Sequence, residues 1–139
     1  PQSRKIIGIY DRDFPKIIED IEKDSQSFKN YGNDVFAFCI PTPEVRNTYT
    51  NISIEFYYTD SELKTEDNGK CLYFDNEEES TKKIFDENIG NLDWIHSKAK
   101  FAELVETNDN FISSFNFENF NLIFDKIREI INPIPKESE

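Results

Sequence analysis

The chain has few of the residues from which catalytic and metal sites are usually built. Its 139 residues include one histidine, two cysteines and four glycines, and no methionine. So few glycines leave no glycine-rich phosphate loop, and one histidine with two distant cysteines cannot supply the usual nitrogen and sulfur ligands of a zinc site. No acidic stretch has the alternating acids and central glycine of a calcium loop. We therefore expect no metal, no cofactor and no catalytic residue.

An enzyme is the alternative that these absences leave open. Nucleophilic catalysis needs a serine or cysteine beside a base, but the single histidine, His96, has no carboxylate or nucleophile at a diagnostic spacing. Acid–base chemistry needs only two carboxylates, and 28 acidic residues make any chosen pair arbitrary. A small enzyme or ligand-binding domain would need an aromatic pocket. Its polar candidates are Tyr57, Tyr58, Tyr73 and His96.

Long apolar runs are lacking as well. No segment approaches the roughly 20 apolar residues of a membrane-spanning helix, and the first residues contain no apolar run long enough for a signal peptide. We therefore expect a cytoplasmic protein, in which Cys39 and Cys71 are buried thiols and not a disulfide. The length, with no repeat and no low-complexity linker, predicts a single domain over residues 1–139.

Positive charge is scarce. The chain has 16 basic and 28 acidic residues, a formal net charge of −12. DNA, RNA and anionic membranes are bound through lysine and arginine, so we expect neither nucleic acid nor a membrane as a direct partner. A basic protein is the natural counterpart of such a surface.

The acidic residues are concentrated in two windows of the sequence. Residues 55–79 carry nine acids and two bases, and residues 101–125 carry five acids and no base, so the remainder is neutral. The run at residues 77–79 has a local explanation, because it fits the first turn of a helix with lysines four residues on. The remaining acids predict a partner-binding surface if they share one face. Its candidate residues are Asp60, Glu62, Glu66, Asp67, Asp75, Glu103, Glu106 and Asp109.

Hydrophobic periodicity predicts an α+β fold, with a mostly antiparallel sheet of about four strands. Strands are predicted at residues 5–10, 34–40, 52–59 and 70–74. The second is continuously apolar and therefore central. The last two form a hairpin, because Asn68-Gly69 tolerates the positive φ of a tight turn.

Three helices are predicted to pack on one face of this sheet. An N-terminal helix begins near Phe14 and ends at Gly32, and a middle helix spans residues 76–88. Residues 92–106 fit a helix, although residues 100–107 fit a strand equally well. Trp94 is expected to be buried or partly buried, and an interface anchor is the alternative.

The C-terminal helix is the clearest of the predicted elements. Asn116 is expected to cap it and Pro133 to end it. Its core stripe is Phe117, Phe120, Phe124, Ile127 and Ile131, widened by Ile123 and Ile130. The cluster formed by Phe111, Phe115, Phe117, Phe120 and Phe124 is interpreted as core and not as a base-stacking platform, because no base lies between Lys100 and Lys126.

The small size, the absence of a catalytic motif and the concentration of acidic residues in two windows together favour a binding protein. In that general style the chain resembles bacterial immunity proteins and antitoxins. We expect a monomer that covers the basic active or substrate-binding surface of a nuclease-type toxin. A phage-type inhibitor that imitates nucleic-acid phosphates and blocks a host defence nuclease is the close alternative, and a structural subunit of a larger assembly is a third hypothesis.

Overall fold

The computed structural model describes residues 4–72, 95–96 and 98–134. The chain groups into two compact units, unit 1 (Pro1–Tyr57 with Phe117–Glu139) and unit 2 (Tyr58–Asn116). In chain order the strands and α-helices are β1 Ile6–Tyr10, α1 Pro15–Ile21, β2 Lys29–Gly32, β3 Val35–Cys39, α2 Asp60–Leu63, β4 Cys71–Leu72, β5 Ile95–His96, α3 Lys98–Thr107 and α4 Asn121–Ile131. The mixture of helix and strand confirms the α+β class, while the single domain stays a prediction.

Unit 1 is built on a three-stranded sheet in the order β1-β3-β2. β3 is central, as its continuous apolar character predicts. β1 pairs with it in parallel, with Ile7 opposite Phe36, and β2 pairs with it antiparallel. The sheet is therefore mixed, and the prediction of a mostly antiparallel sheet of four strands is only roughly met. Parallel pairing follows from the connection, because α1 lies in the crossover that carries the chain back to the starting edge.

Helices cover both faces of this sheet, and not one face as predicted. On one face, Phe36 and Phe38 of β3 pack in a cluster with Ile123 and Ile130 of α4. On the other face, Ala37 and Cys39 pack with α1. Side chains alternate between the faces of a strand, so a strand that is apolar at every position needs a helix on each side.

The N-terminal helix is shorter than predicted. It ends at Ile21, and after a short 3₁₀-helix at Lys23–Ser25 the chain enters β2. Asp24 and Ser25 take positive φ angles of 60° and 63°, which break the helical path. The side-chain amide of Gln26 donates to the carbonyl of Ile21 at 2.8 Å, so it satisfies one of the acceptors exposed where the helix ends.

The strand predicted at residues 52–59 and its hairpin with residues 70–74 are wrong for the part described. A 3₁₀-helix occupies Ile54–Tyr57, and only Ile52 makes an isolated bridge, to Arg12. The Ser53 hydroxyl donates to Glu55 at 2.6 Å, a local bond that competes with strand pairing. In unit 2, β4 pairs instead with β5 in parallel.

The rest of unit 2 is arranged around an aromatic cluster. The ambiguous region resolves into the short strand β5 followed by helix α3. The buried members of the cluster are Leu63, Leu72, Phe101, Leu104 and Phe111, and Tyr58 and Phe115 pack against them. Phe111 and Phe115 therefore belong to a core, as predicted. The helix predicted at residues 76–88 and Trp94 lie outside the described residues.

The C-terminal helix is confirmed, but its buried side differs from the predicted stripe. Ile123 and Ile130, expected only to widen the stripe, are buried, whereas Phe117, Phe124 and Ile131 are exposed. The capping prediction is wrong too, because α4 follows a 3₁₀-helix at Phe117–Phe120 and has no side-chain cap. The apolar surface of this helix is wider than one face of the sheet can cover.

The cysteine prediction is confirmed. Cys39 and Cys71 are buried and form no disulfide, and burial raises the pKa of the Cys39 thiol. Within the described ranges, the helices are too short or too polar for any of them to cross a bilayer.

Candidate protein-binding surface

Every candidate acid that the structure describes belongs to unit 2. Asp60 and Asp67 are partly buried, and Glu62 is buried. Asp75 lies outside the described residues. The exposed members are Glu66, Glu103, Glu106 and Asp109. Their convergence on one face stays a prediction.

A tight turn lies beside Glu66 and Asp67, two of the candidate acids. Asp67 and Lys70 exchange backbone hydrogen bonds of 2.9 and 3.0 Å. The two residues between Asp67 and Lys70 have positive φ angles, 51° for Asn68 and 72° for Gly69. Two successive positive φ angles are typical of an Asn-Gly turn, as the sequence predicts. The turn leaves the Glu66 side chain exposed.

Helix α3 carries two more of the candidate acids, Glu103 and Glu106. Phe101 and Leu104 are buried on one side of this helix. Glu103 and Glu106 are exposed and lie three residues apart, so they share the opposite side. Lys100 contacts Glu103 at 3.2 Å, but both side chains are largely exposed, so the pair contributes little to stability. Asp109, two residues after the end of the helix, is exposed as well.

Glu62 has a different role from its acidic neighbours. It is only 5% exposed. Its carboxylate accepts the backbone N–H of Thr59 at 2.7 Å and the backbone N–H of Asn116, while the Thr59 hydroxyl accepts the Glu62 N–H. A buried carboxylate is tolerated when such donors surround it. Glu62 therefore fixes the start of α2 and cannot present its charge to a partner, so we remove it from the candidate surface.

The sequence contains a signal for this role that charge counting misses. Thr59 and Glu62 stand three residues apart, the spacing of a capping box, in which each side chain satisfies the other residue's backbone N–H. An acid in such a pattern is already used by the fold. The capping pattern thus distinguishes Glu62 from Glu66, although both contribute equally to the net charge.

The polar groups proposed for an enzyme pocket serve in packing where they are described. Tyr57 is buried and its hydroxyl donates to the Pro41 carbonyl, and burial raises the pKa of that hydroxyl. Tyr58 packs edge-on against Phe101 at a centroid distance of 5.1 Å. Tyr73 and the side chain of His96 lie outside what is described. Among the described side chains, no three of His, Cys, Asp or Glu are grouped as a metal site would need.

The two units differ in the net charge of their sequences. Its residues include 14 acids and 10 bases, a net −4, whereas unit 2 has 14 acids and 6 bases, a net −8. Several carboxylates of unit 1 contact basic side chains. These pairs are Arg12–Glu22, Lys29–Asp20, Lys126–Glu129 and Arg128–Asp125.

Comparison with known proteins adds no relative: no protein-family model, curated protein or solved structure matches the chain. The surfaces of the chain are therefore the basis for a proposed function. The acidic surface of unit 2, defined as Glu66, Glu103, Glu106 and Asp109, is the strongest candidate.

Proposed function

We propose that the chain is a binding protein whose unit 2 covers a basic surface of another protein. One observation supports this above all others: the residues of unit 2 carry a net charge of −8, twice the net charge of unit 1, and four of their acids are exposed in the part of the unit that is described. A surface of one sign attracts a partner of the other sign over distances beyond contact. It also repels nucleic acid, which would need the opposite charge.

The partner that fits best is a nuclease-type toxin. A nuclease binds phosphates through lysine and arginine, so its active or substrate-binding surface is basic. An acidic protein seated on that surface excludes the substrate without any chemistry of its own. The chain would then act as an immunity protein or antitoxin, and its association with the toxin would be fast and sensitive to salt.

The scaffold of unit 2 supports such a role. Phe101 and Leu104 anchor α3 in the aromatic cluster, so Glu103 and Glu106 project from an ordered helix. The turn that follows Glu66 is closed by backbone hydrogen bonds. Carboxylates held on ordered backbone lose less conformational entropy on binding than carboxylates in a flexible tail.

A charge-reversal variant tests the proposal. We replace three exposed acids of unit 2 in Glu66→Lys/Glu106→Lys/Asp109→Lys. Each change adds two positive charges, so the formal net charge falls from −12 to −6. At low ionic strength, we expect the immobilised wild-type chain to retain a basic protein from a lysate of cells that carry the gene. The variant should lose most of that protein.

The matched control reverses three exposed acids of unit 1, in Asp13→Lys/Glu19→Lys/Glu44→Lys. It makes the same change in net charge, and we expect it to retain the partner as the wild type does. Equal loss of the partner in both variants would show that binding depends on net charge alone and not on the surface of unit 2. Full retention by the unit 2 variant would place the interface elsewhere.

A further inference from the structure

Each unit has a tight turn that begins with an asparagine in a left-handed conformation. In unit 1, Asn33 and Asp34 have φ angles of 52° and 60° and join β2 to β3. In unit 2, Asn68 and Gly69 have φ angles of 51° and 72°. Both asparagines are exposed. The two turns differ in the residue that follows the asparagine, which is aspartate in unit 1 and glycine in unit 2.

The side-chain amide of an asparagine can be attacked by the backbone nitrogen of the next residue. At Asn68, the Gly69 nitrogen would bond to the side-chain carbon Cγ, the Cγ–Nδ2 bond would break, and ammonia would leave with the Gly69 amide proton. Water then opens the five-membered succinimide ring at either of its carbonyl groups, which yields aspartate or isoaspartate. Water is the only other reactant, and asparagine is for this reason a labile residue.

Glycine hinders this attack least, because it has no Cβ beside the attacking nitrogen. Asn68-Gly69 is the only asparagine–glycine pair in the sequence, and every other asparagine precedes a residue with a side chain. A Cβ placed on Gly69 would meet nothing within 4 Å, so the space around this residue is open. At Asn33, by contrast, the attacking nitrogen would carry the side chain of Asp34 next to it.

The fold leaves the reacting groups of the unit 2 turn accessible. The two backbone hydrogen bonds that close this turn are donated by Asp67 and Lys70, and not by Gly69. Asn68 and Gly69 are both exposed, so solvent can take the amide proton and hydrate the ring. Ring closure requires Asn68 to rotate out of its left-handed conformation. A turn closed by two hydrogen bonds can open locally while the rest of the unit stays folded.

The product would change the turn in charge and in backbone length. The Asn68 amide donates to the Asp67 carboxylate at 3.3 Å. Deamidation replaces this donor with a second carboxylate, so two like charges meet. Isoaspartate also carries the chain through its side chain, which adds one carbon to the backbone of the turn. The net charge of unit 2 changes from −8 to −9, two residues from the exposed Glu66.

We propose that Asn68-Gly69 is a site of spontaneous deamidation in the folded chain, at which Asn68 becomes aspartate or isoaspartate. The isoaspartate product presents an α-carboxylate outside the backbone, which is the group that isoaspartate-specific methyltransferases methylate. The reaction needs only the turn and water. It is independent of the proposed binding function, so either proposal can fail without the other.

Incubation of the folded chain in water labelled with heavy oxygen tests the proposal. Digestion follows in ordinary water, so the label marks only the modification that preceded digestion. Trypsin cleaves after Lys64 and Lys70 and releases residues 65–70, which contain Asn68. We expect this peptide to lose ammonia, to gain one labelled water and to accept a methyl group from an isoaspartate methyltransferase. The rate should rise with pH, because a deprotonated amide nitrogen is the stronger nucleophile.

Asn33 is the internal control, because it is exposed and has nearly the same φ angle as Asn68. It should keep its amide in the wild-type chain. Asp34→Gly should create a second labelled site at Asn33, since glycine tolerates the positive φ of this position. Gly69→Ala should suppress the label at Asn68. Asn68→Gln should remove it as well, because glutamine would have to form a larger ring.

An unlabelled Asn68 in the folded chain would overturn the proposal, and label that enters only in urea would show that the folded turn protects the residue. Equal labelling of Asn33 and Asn68 would also overturn it, because the glycine would then have no influence on the reaction. Full labelling of Asn68 in Gly69→Ala would contradict the proposal for the same reason.

Discussion

The two units of the chain differ in their exposed apolar side chains and in the net charge of their sequences. In the part of the chain that is described, all the large apolar side chains that are exposed belong to unit 1, including Ile6, Phe14 and Phe124. Unit 2 has twice the net negative charge of unit 1, −8 against −4, on fewer residues. We therefore expect apolar contact at unit 1 and propose charge attraction at unit 2. Each part would select a different kind of partner.

The units also bury charges of opposite sign. In unit 1, the guanidinium of Arg46 is buried, lies 5.6 Å from the ring centroids of Tyr49 and Phe56, and donates to the Phe56 carbonyl at 3.3 Å. In the described part of unit 2, the buried charge is the carboxylate of Glu62, which accepts two backbone N–H groups. Both charges are supported by the fold around them, so neither belongs to a surface that binds a partner.

Replacing a core aromatic residue in each unit should have the largest effect, and it tests whether the two units unfold separately. Phe38 in unit 1 and Phe101 in unit 2 are almost fully buried. Replacing either with alanine should cost about 3–5 kcal/mol of unfolding free energy, because a large cavity remains. If the chain is a single domain as predicted, urea unfolding shows one transition that both substitutions lower. Two transitions, each sensitive to one substitution, would show two domains.

Removing the buried carboxylate of unit 2 should have the next largest effect. Glu62→Ala leaves the Thr59 and Asn116 N–H groups without their acceptor, which should cost about 1–3 kcal/mol. Glu62→Gln keeps one carbonyl oxygen and should lose less. Glu66→Ala, at an exposed acid of the same unit, should change unfolding free energy by no more than about 0.5 kcal/mol. Equal losses at both positions in urea unfolding would refute the distinction between the buried and exposed acids.

The smallest effect is expected at a paired surface acid of unit 1. The ammonium of Lys29, and after it the hydroxyl of Tyr31, lower the pKa of Asp20 from its usual value of 3.8. Because the folded pKa is the lower one, this pair's contribution to stability is present above the unfolded pKa. It is lost as pH falls through the folded pKa. In an NMR titration, Lys29→Met should move the pKa of Asp20 back up. An unchanged pKa would contradict the pairing.

The predictable parts of the fold are those that local pattern determines. The apolar strand at β3, the Asn68-Gly69 turn and the C-terminal helix were all predictable, because each depends on a short run of residues. The strand predicted at residues 52–59 was wrong, because alternating apolar residues do not by themselves fix the backbone, and contacts with residues distant in sequence hold part of this segment as a 3₁₀-helix. The Ile54 N–H, for example, donates to the side chain of Asp11 at 3.1 Å.

Which of the candidate acids are exposed was not predictable residue by residue. Charge counting treats Glu62 and Glu66 alike, and only the capping pattern with Thr59 distinguishes them. The exposed side chains of α4, Phe124 and Ile131, could not be distinguished from its core residues by sequence, because an apolar helix face that is too wide does not show which side packs inward. That choice depends on the sheet against which α4 lies.

The most direct test of the central claim is the salt dependence of association with the captured basic partner. We measure the association rate constant of the wild-type chain, the unit 2 charge-reversal variant and the unit 1 control over a series of salt concentrations. Attraction between exposed charges is screened by salt. We therefore predict a steep fall in rate for the wild type and for the unit 1 control, and a low, nearly flat rate for the unit 2 variant. The same steep fall in all three proteins would contradict the assignment of binding to the acidic surface of unit 2.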